Sequence, residues 1–357
     1  METKVQFDFR LGGDSIPGPV ENVQALASKN LKKVSSRYIR SEIEFDAISM
    51  DESFEIPVID MSKLDDDSER RNLHLVCRDW GFFQLINHGV ANDVIEKMKI
   101  DLQEFFKLPL KEKMAFSKTP DNPEGYGQDI RASDLEDQKL EWKDILLLVA
   151  QPINSRNMRF WPTNPRSFRE SFEKYTMALH EVMIRLVKLV AENLGTDPEA
   201  FSSFFEDGRQ VIRMNYYPPC AEARKVLGAF PHSDSSGLTL LIQANEVEGL
   251  QIKRNEKWIP VKPIPGAFIV NIGDVIEIMS NGEYKSIEHR VVVNEDKERL
   301  SIASLHYPKK GTQIVPLPDV TKTNKVVYKS MPLEEFLTVR LSQRSNGKRL
   351  LDQIMKL

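Results

Sequence analysis

Three residues in the second half of the chain carry side chains that could bind one metal ion. His232 and Asp234 are separated by a single residue, so on a β-strand their side chains project from the same face. His289 lies farther along, beyond several strand-like segments that leave room for the chain to return to that face. Two imidazoles and one carboxylate leave the opposite side of a metal open, which is typical of a non-haem Fe(II) site. The absence of nearby thiolates argues against structural zinc.

The other histidines have no second ligand at a useful spacing. A His-x-Asp pair is by itself weak evidence for a site. We interpret the remaining four histidines as hydrogen-bonded structural residues: His74, His88, His180 and His306. The prediction of a metal site therefore depends on His289 joining the pair from a different strand.

Arg299 and Ser301 form a second candidate group, in the strand-like run RLSIASL. The two side chains share one strand face. The planar fork of Arg299 suits a carboxylate, and Ser301 adds one hydroxyl donor. An arginine buried in a barrel needs an anion, which a dicarboxylate could supply. The Arg-x-Ser pattern also starts at Arg131 and Arg340, but only the copy that follows His289 has this strand context.

The stretch NYYPPC (215–220) ends a predicted strand shortly before His232. A hydroxyl donated by Tyr217 could reach the same carboxylate as Arg299. An aromatic core residue at a strand end closed by proline is an equally good interpretation of Tyr217. The order along the chain carries more weight, because these candidates fall on successive predicted strands of one unit.

A β unit that begins near residue 209 must position these side chains. Asn, Gly, Asp and Pro separate its short segments, a pattern typical of a closed or sandwiched antiparallel sheet such as a jelly roll. The predicted strands are Val211–Tyr217, Leu238–Gln243, Leu250–Lys253, Trp258–Val261, Ala267–Ile272 and Leu300–Leu305.

The chain before this unit is predicted to be rich in helices. Apolar side chains recur there at helical spacing, and a few runs are strand-like. The predicted helices are Val20–Leu31, Arg70–Trp80, Val94–Phe106 and Pro165–Leu194, and the predicted strands are Ile56–Ile59 and Gly81–Asn87. Residues 119–138 combine proline, glycine and charge, which predicts a loop.

We predict an α+β fold with four parts. An N-terminal arm covers residues 1–54, and a helix-rich region covers 55–205. The jelly-roll core covers 206–310, and a helical tail covers 311–357.

The composition is that of an ordinary globular protein. Among 357 residues, 53 are acidic and 49 basic, so the net charge of −4 does not favour nucleic acid as a partner. Two cysteines cannot form a disulfide scaffold and indicate a reducing compartment. The longest apolar run, Ile145–Ala150, is too short for a membrane span, and the N-terminus lacks the apolar core of a secretory signal. We expect a cytoplasmic monomer that binds neither nucleic acid nor membranes.

From about residue 20 to its end, the chain resembles plant Fe(II)/2-oxoglutarate-dependent dioxygenases. It is most similar to the senescence-related group, which includes dioxygenase-type norcoclaurine synthase proteins and opiate-alkaloid O-demethylases. The matching segments are WGFFQLINHGV (80–90), EGYGQ (124–128), RMNYYPPC (213–220), PHSDSSGLTLLIQ (231–243), GLQIK (249–253), VNIGDVIEIMSNGEYKSIEHR (270–290) and ERLSIASLHYP (298–308).

The resemblance implies a double-stranded β-helix, or jelly roll, flanked by helices. It implies Fe(II) bound by His232, Asp234 and His289. It also implies 2-oxoglutarate as cosubstrate and O2 as oxidant, with ascorbate as a supporting reductant.

The resemblance further implies a binding site for 2-oxoglutarate. Arg299 and Ser301 would bind its distal carboxylate, with Tyr217 as a further donor and Asn215 nearby. An oxidase of the ethylene-forming type, which does not use this cosubstrate, would share the iron ligands and the Arg-x-Ser pair. A non-catalytic protein that uses the same fold to hold a small ligand is a third interpretation.

The activity that the resemblance implies is oxidation of a small, aromatic plant metabolite that is alkaloid-like or flavonoid-like. The reaction would be hydroxylation or O-demethylation, with release of succinate and CO2. Tyr126, Leu305 and Tyr307 are the candidate substrate contacts. Related sequences often carry an aromatic residue where Leu305 stands, and loss of a stacking ring would change the choice of substrate.

Overall fold

A computed structural model describes residues 21–29, 33–45, 48, 55–119, 122–128, 139–322, 324–342 and 350–357. Much of the predicted N-terminal arm lies outside the described residues, as do the ends of the predicted helix Val20–Leu31. The same holds for residues 129–138 of the predicted loop. In the parts of the chain that are described, no helix is both long enough and apolar enough to cross a membrane.

The helices of the described chain lie mainly before the β unit and at the C-terminus. They are α1 (Val23–Ser28), α2 (Asp67–Asp79), α3 (Asn92–Lys107), α4 (Leu110–Met114), α5 (Phe168–Asn193), α6 (Pro198–Glu206), α7 (Asp274–Met279), α8 (Pro318–Thr321), α9 (Leu333–Ser342) and α10 (Leu350–Met355). Short 3-10 turns connect several of these elements.

The strands alternate with these helices in the first half and follow one another in the second. They are β1 (Val58–Asp60), β2 (Phe82–Ile86), β3 (Gly125–Gly127), β4 (Asp144–Gln151), β5 (Arg209–Tyr217), β6 (Leu227–His232), β7 (Leu238–Gln243), β8 (Leu250–Arg254), β9 (Lys257–Pro260), β10 (Phe268–Ile272), β11 (His289–Val292), β12 (Arg299–Tyr307), β13 (Gln313–Ile314) and β14 (Met331–Pro332).

Two sheets form the core. The larger has the strand order β1-β2-β10-β7-β12-β5-β4-β3, and the smaller has the order β6-β11-β8-β9. Side chains from both sheets join one buried apolar cluster, which includes Ile269 of the larger sheet and Ile252 of the smaller. A second cluster packs the larger sheet against helices such as α3 and α5. Two sheets packed over a shared interior, with helices outside, confirm the predicted α+β fold with a jelly-roll core.

Long periodic segments were predicted well. Helix α5 fits the predicted Pro165–Leu194, and its buried residues Phe168, Phe172 and Tyr175 recur at helical spacing. Strand β7 coincides with its prediction, and β5 and β12 extend theirs by a few residues.

Three features of the sheets correct the sequence prediction. Strand β4 was not predicted, because an apolar run buried along nearly its whole length lacks the alternation of a half-exposed strand. Strands β6 and β11 were also missed, since β6 contains glycine and proline and β11 has only four residues. The predicted loop 119–138 contains β3. The larger sheet therefore draws β1 to β4 from the region that was predicted to be helix-rich.

Candidate metal centre and active site

The two missed strands bring the histidines together. Strand β6 ends at His232 and β11 begins at His289, and these two residues are register partners in the antiparallel pair. Their ring centres lie 4.3 Å apart. Asp234 follows in the turn after β6, with its Oδ1 atom 3.7 Å from the Nε2 atom of each imidazole. The three predicted ligands therefore converge, although through a strand end and a turn rather than along one strand.

This cluster has the spacing of a metal site. One potential ligand atom from each of the three side chains lies within 4.8 Å of the others. Among the residues that the structure describes, no other group of histidine, cysteine and acidic side chains meets this condition. The pair of imidazoles and one carboxylate suits Fe(II) with open coordination positions.

Backbone carbonyls fix the orientation of both imidazoles. The Nδ1 atom of His232 lies 2.7 Å from the carbonyl oxygen of Phe230, and that of His289 lies 3.1 Å from the carbonyl oxygen of Ile287. A carbonyl oxygen can only accept, so each Nδ1 carries the proton and each Nε2 keeps its lone pair. Both lone pairs are thus available to a metal, as in known sites where a ligating histidine donates its other N–H to the protein.

The imidazole of His232 is kept neutral by its surroundings. Its side chain is 38% exposed, because it faces a cavity. Desolvation by the surrounding protein, followed by the nearby imidazole of His289, lowers the pKa of His232 to about 3. A neutral imidazole is the form that binds metal.

Within the described part of the chain, hydrogen bonds hold the carboxylate of Asp234 at one of its two oxygens. Its Oδ2 atom accepts hydrogen bonds from the Thr239 hydroxyl at 2.7 Å and from the Asn271 amide at 2.9 Å. Burial alone would raise the pKa of Asp234, but His289, His232 and these two donors lower it to about 2. Asp234 is therefore ionised, with Oδ1 directed toward the imidazoles.

A cavity of about 280 Å³ lies in front of this cluster. Its walls combine apolar and polar side chains from both sheets and from α9. The lining includes Phe82, Leu140, Arg213, Asn215, Tyr217, Phe230, Leu241, Leu250, Ile269, Ala303, Leu305, Tyr307 and Arg340, in addition to the three converging residues. An interior of this size and character suits a small molecule.

Strands β5 and β12 run along this cavity as an antiparallel pair. Alternate residues of β12 face one side, so Arg299 and Ser301 share a face with Leu305. Arg299 lies opposite Tyr217 in the register, and Ser301 lies opposite Asn215. The structure thus brings the four residues predicted to bind 2-oxoglutarate to one end of the strand pair.

The guanidinium of Arg299 is buried without a complete set of partners. Its side chain is 1% exposed. Nη1 lies 3.4 Å from the Ser301 hydroxyl, whereas Nε and Nη2 have no hydrogen-bond partner in the described part of the protein. Burial lowers the pKa of Arg299, and the nearby Tyr217 opposes that effect. Unpartnered donors on a buried guanidinium fit a carboxylate, because an anion would satisfy both their hydrogen bonds and their charge.

Two glycines that were not singled out from the sequence make room for these side chains. A Cβ atom at Gly249 would lie 2.9 Å from Cδ of Arg299. A Cβ atom at Gly228 would lie 2.5 Å from Cδ1 of the Tyr217 ring. Both approaches are closer than side chains tolerate, so a larger residue at either position would displace part of the site.

The wall of this cavity contains two of the three predicted substrate contacts, at the end of β12 that is far from Arg299. Leu305 and Tyr307 line it, and the Tyr307 hydroxyl lies 3.3 Å from that of Ser235. Tyr126 does not line this cavity. Its ring is 1% exposed and packs against Phe105, so the prediction that Tyr126 contacts substrate is replaced by a packing role.

Sequence reasoning missed the residues that support the predicted ligands. Thr239 and Asn271 hold Asp234 and were not predicted, although both lie within the matched segments 231–243 and 270–290. An Asn or Thr in an apolar strand is a usable signal, because a buried polar side chain needs a partner. Arg340 lines the cavity from α9, and nothing in its local sequence indicated that position.

Comparison with known proteins agrees with this geometry. Residues 208–308 match the 2OG-Fe(II) oxygenase superfamily, and residues 56–164 match the N-terminal family described as "non-haem dioxygenase in morphine synthesis". The crystal structure of JOX2 in complex with 2OG, Fe and JA is similar, with a TM-score of 0.84 and 37% identity. The match covers 94% of this chain and 97% of that one.

Two characterised relatives are similar over nearly their whole length. S-norcoclaurine synthase 1 from Coptis japonica is 54% identical, over 94% of this chain and 96% of the relative. Oxoglutarate-dependent flavonoid 7-O-demethylase 1 from Ocimum basilicum is 44% identical, over 93% and 90%. The chain therefore belongs to the 2OG-Fe(II) oxygenase superfamily, as an oxidoreductase that depends on iron and 2-oxoglutarate.

Proposed function

We propose that His232, Asp234 and His289 bind Fe(II). Convergence of two Nε2 lone pairs and one ionised carboxylate supports this assignment. A partner outside the site fixes the orientation of each ligand in advance, as the backbone carbonyls do for the two imidazoles. Preset ligands bind a metal without first losing conformational freedom.

We propose that Arg299 and Ser301 bind the distal carboxylate of 2-oxoglutarate, with Tyr217 and Asn215 beside them. The observation that carries this proposal is the pair of unpartnered donors on the buried Arg299 guanidinium. The cosubstrate would lie between this end of the strand pair and the metal ligands.

When bound, iron and 2-oxoglutarate supply the oxidising chemistry, in which O2 is consumed and 2-oxoglutarate is converted to succinate and CO2. The residues of this chain orient the bound groups, neutralise the charge of the cosubstrate and shield the reacting groups from water. Arg299 offsets the charge of the distal carboxylate, and Asp234 stays ionised. Apolar walls such as Leu250 and Ile269 limit the access of water to the reacting groups.

We infer that the substrate is a small, aromatic plant metabolite, alkaloid-like or flavonoid-like, that is hydroxylated or O-demethylated. The 7-O-demethylase relative, whose name states a flavonoid substrate, supports this class. The cavity offers Phe82 and Phe230 as ring contacts. Oxidation of an O-methyl carbon would release formaldehyde.

We propose a cytoplasmic monomer that binds neither nucleic acid nor membranes. The net charge of −4 supports only the part of this proposal that concerns nucleic acid. Ascorbate would support turnover by keeping iron reduced. We also propose that the chain has four parts, with boundaries after residues 54, 205 and 310.

Purified protein incubated with Fe(II), 2-oxoglutarate and a panel of methoxylated flavonoids and alkaloids tests the proposal. We expect a substrate that stimulates succinate formation, with equimolar formaldehyde for O-demethylation or a product heavier by one oxygen for hydroxylation. His232→Ala should reduce succinate to the level without enzyme, because it removes an iron ligand. Equal turnover by wild type and His232→Ala would disprove the metal assignment. Turnover without 2-oxoglutarate would instead favour an oxidase of the ethylene-forming type.

A further inference from the structure

One arginine of the C-terminal helix contacts the turn between the proposed metal ligands. Arg340 lies on α9, more than 100 residues from that turn along the chain. Its Nη2 atom donates to the carbonyl oxygen of Ser233 at 2.7 Å and to the Ser233 hydroxyl at 2.9 Å. Ser233 is the single residue between His232 and Asp234, so a contact there acts on the spacing of both ligands.

The same arginine is paired with a buried acid that also contacts this turn. The Nε atom of Arg340 donates to Oδ2 of Asp274 at 3.0 Å. The backbone N–H of Asp274 donates to the carbonyl oxygen of Asp234 at 2.7 Å. A closed ring of contacts therefore links Ser233, Arg340, Asp274 and Asp234. Both residues of the ligand turn are held through their backbone, from two different elements.

The burial of this ring indicates a requirement for arginine. The side chains of Arg340 and Asp274 are 10% and 0% exposed. A planar guanidinium can hold Asp274 and Ser233 at the same time through different nitrogens, which the single ammonium of lysine cannot do in the same geometry. Loss of the arginine would leave a buried carboxylate without its countercharge.

We propose that Arg340 is a positioning residue that holds the ligand turn and makes metal affinity depend on the docking of α9. This inference rests on the proposed metal site. It gives the last Arg-x-Ser copy of the sequence a different role from that of Arg299, since Arg340 acts on the metal ligands through Ser233. A purely structural ion pair would stabilise the fold and leave the metal affinity unchanged.

The test is the affinity for Co(II) alone, used as a spectroscopic substitute for Fe(II), without 2-oxoglutarate or substrate. Visible absorption of the full-length protein during titration gives the dissociation constant. We expect Arg340→Met to weaken Co(II) binding by about 100-fold and Arg340→Lys by about tenfold, because lost partners of metal ligands typically cost 10- to 100-fold. Thermal unfolding of each metal-free variant measures the effect on folding separately.

Glu335→Gln is the matched control, since Glu335 is an exposed residue of the same helix. It should leave the Co(II) dissociation constant at the wild-type value. The inference is overturned if Arg340→Met lowers only the unfolding temperature, or if Glu335→Gln weakens Co(II) as much as Arg340→Met does. If Arg340→Met does not fold, Arg340→Lys decides by the same measurement. His232→Ala separates the two proposals: if it still binds Co(II) normally, the metal site itself is wrong.

Discussion

The two ends of the strand pair β5–β12 differ in how they are built. At one end, Arg299 and Ser301 lie opposite Tyr217 and Asn215, and all four side chains come from this pair of strands. At the other end, Leu305 belongs to a cavity lining that also draws on β2, β6, β10 and α9. The four side chains of the first end are neighbours in one register, with room left for them by Gly228 and Gly249. The walls of the second end come from elements scattered along the chain.

This difference separates a general function from a specific one. Two paired strands can preserve a site for one carboxylate while the rest of the chain changes. A surface assembled from several elements changes whenever any of them changes. We therefore expect substitutions at the first end to affect every reaction of the enzyme, and substitutions at the second end to affect only the choice of substrate.

Among the substitutions that test this comparison, Arg299→Ala should have the largest effect. It would leave the distal carboxylate of 2-oxoglutarate buried without its countercharge. Truncating one partner of a buried charge pair costs about 2–5 kcal/mol, so the KM for 2-oxoglutarate should rise by about two orders of magnitude. Initial rates of succinate formation against 2-oxoglutarate concentration measure this change.

Lys297→Ala is the control for charge, because Lys297 is an exposed cation two residues away. It should leave the KM for 2-oxoglutarate unchanged. A wild-type KM in Arg299→Ala would remove Arg299 from the cosubstrate site. If Arg299→Ala instead changed only the KM for the organic substrate, the two ends would not be separable as described.

The same contrast explains what could be predicted from the sequence. The predicted ligands His232, Asp234 and His289 do converge. Side-chain chemistry and order along the chain were enough to select them as candidates. The way in which they converge was not predictable. It depends on the pairing of β6 with β11, and strands that are short or contain proline give little local signal.

Tyr126 illustrates the limit at the substrate end. A tyrosine in a glycine-rich segment has the composition of a binding loop, yet its ring packs in the aromatic core. Arg340 shows the converse, since it reaches the cavity from a distant helix. The local sequence predicts a single helix or strand, whereas the set of residues that lines the cavity depends on how several elements pack together.

Thr239→Val should produce an effect of intermediate size. It tests whether a change beside the metal site affects every reaction, like the first end of the strand pair, or only the choice of substrate, like the second. The hydroxyl of Thr239 donates to Oδ2 of Asp234 at 2.7 Å, and valine keeps its shape without that donor. Co(II) affinity should fall by about tenfold. The KM for the organic substrate should stay constant.

Ser236→Ala is the matched control for Thr239→Val. It removes a hydroxyl that lies 3.0 Å from that of Thr239. In the described part of the protein the Ser236 hydroxyl makes no hydrogen bond to Asp234, so Co(II) affinity should stay near the wild-type value. Equal losses in both variants would assign the effect to general disturbance of the strand.

Leu305→Phe should have the smallest effect, confined to the substrate end. Leu305 is 8% exposed and lines the cavity. A ring at this position could stack on an aromatic substrate, which contributes about 0.5–1.5 kcal/mol beyond the buried area. The KM for an aromatic substrate should therefore change by about two- to tenfold, and the KM for 2-oxoglutarate should not change. Steady-state kinetics with each substrate varied in turn measure both constants. If the two constants change together, residue 305 acts on the whole cavity, and the division between the two ends of β5–β12 fails.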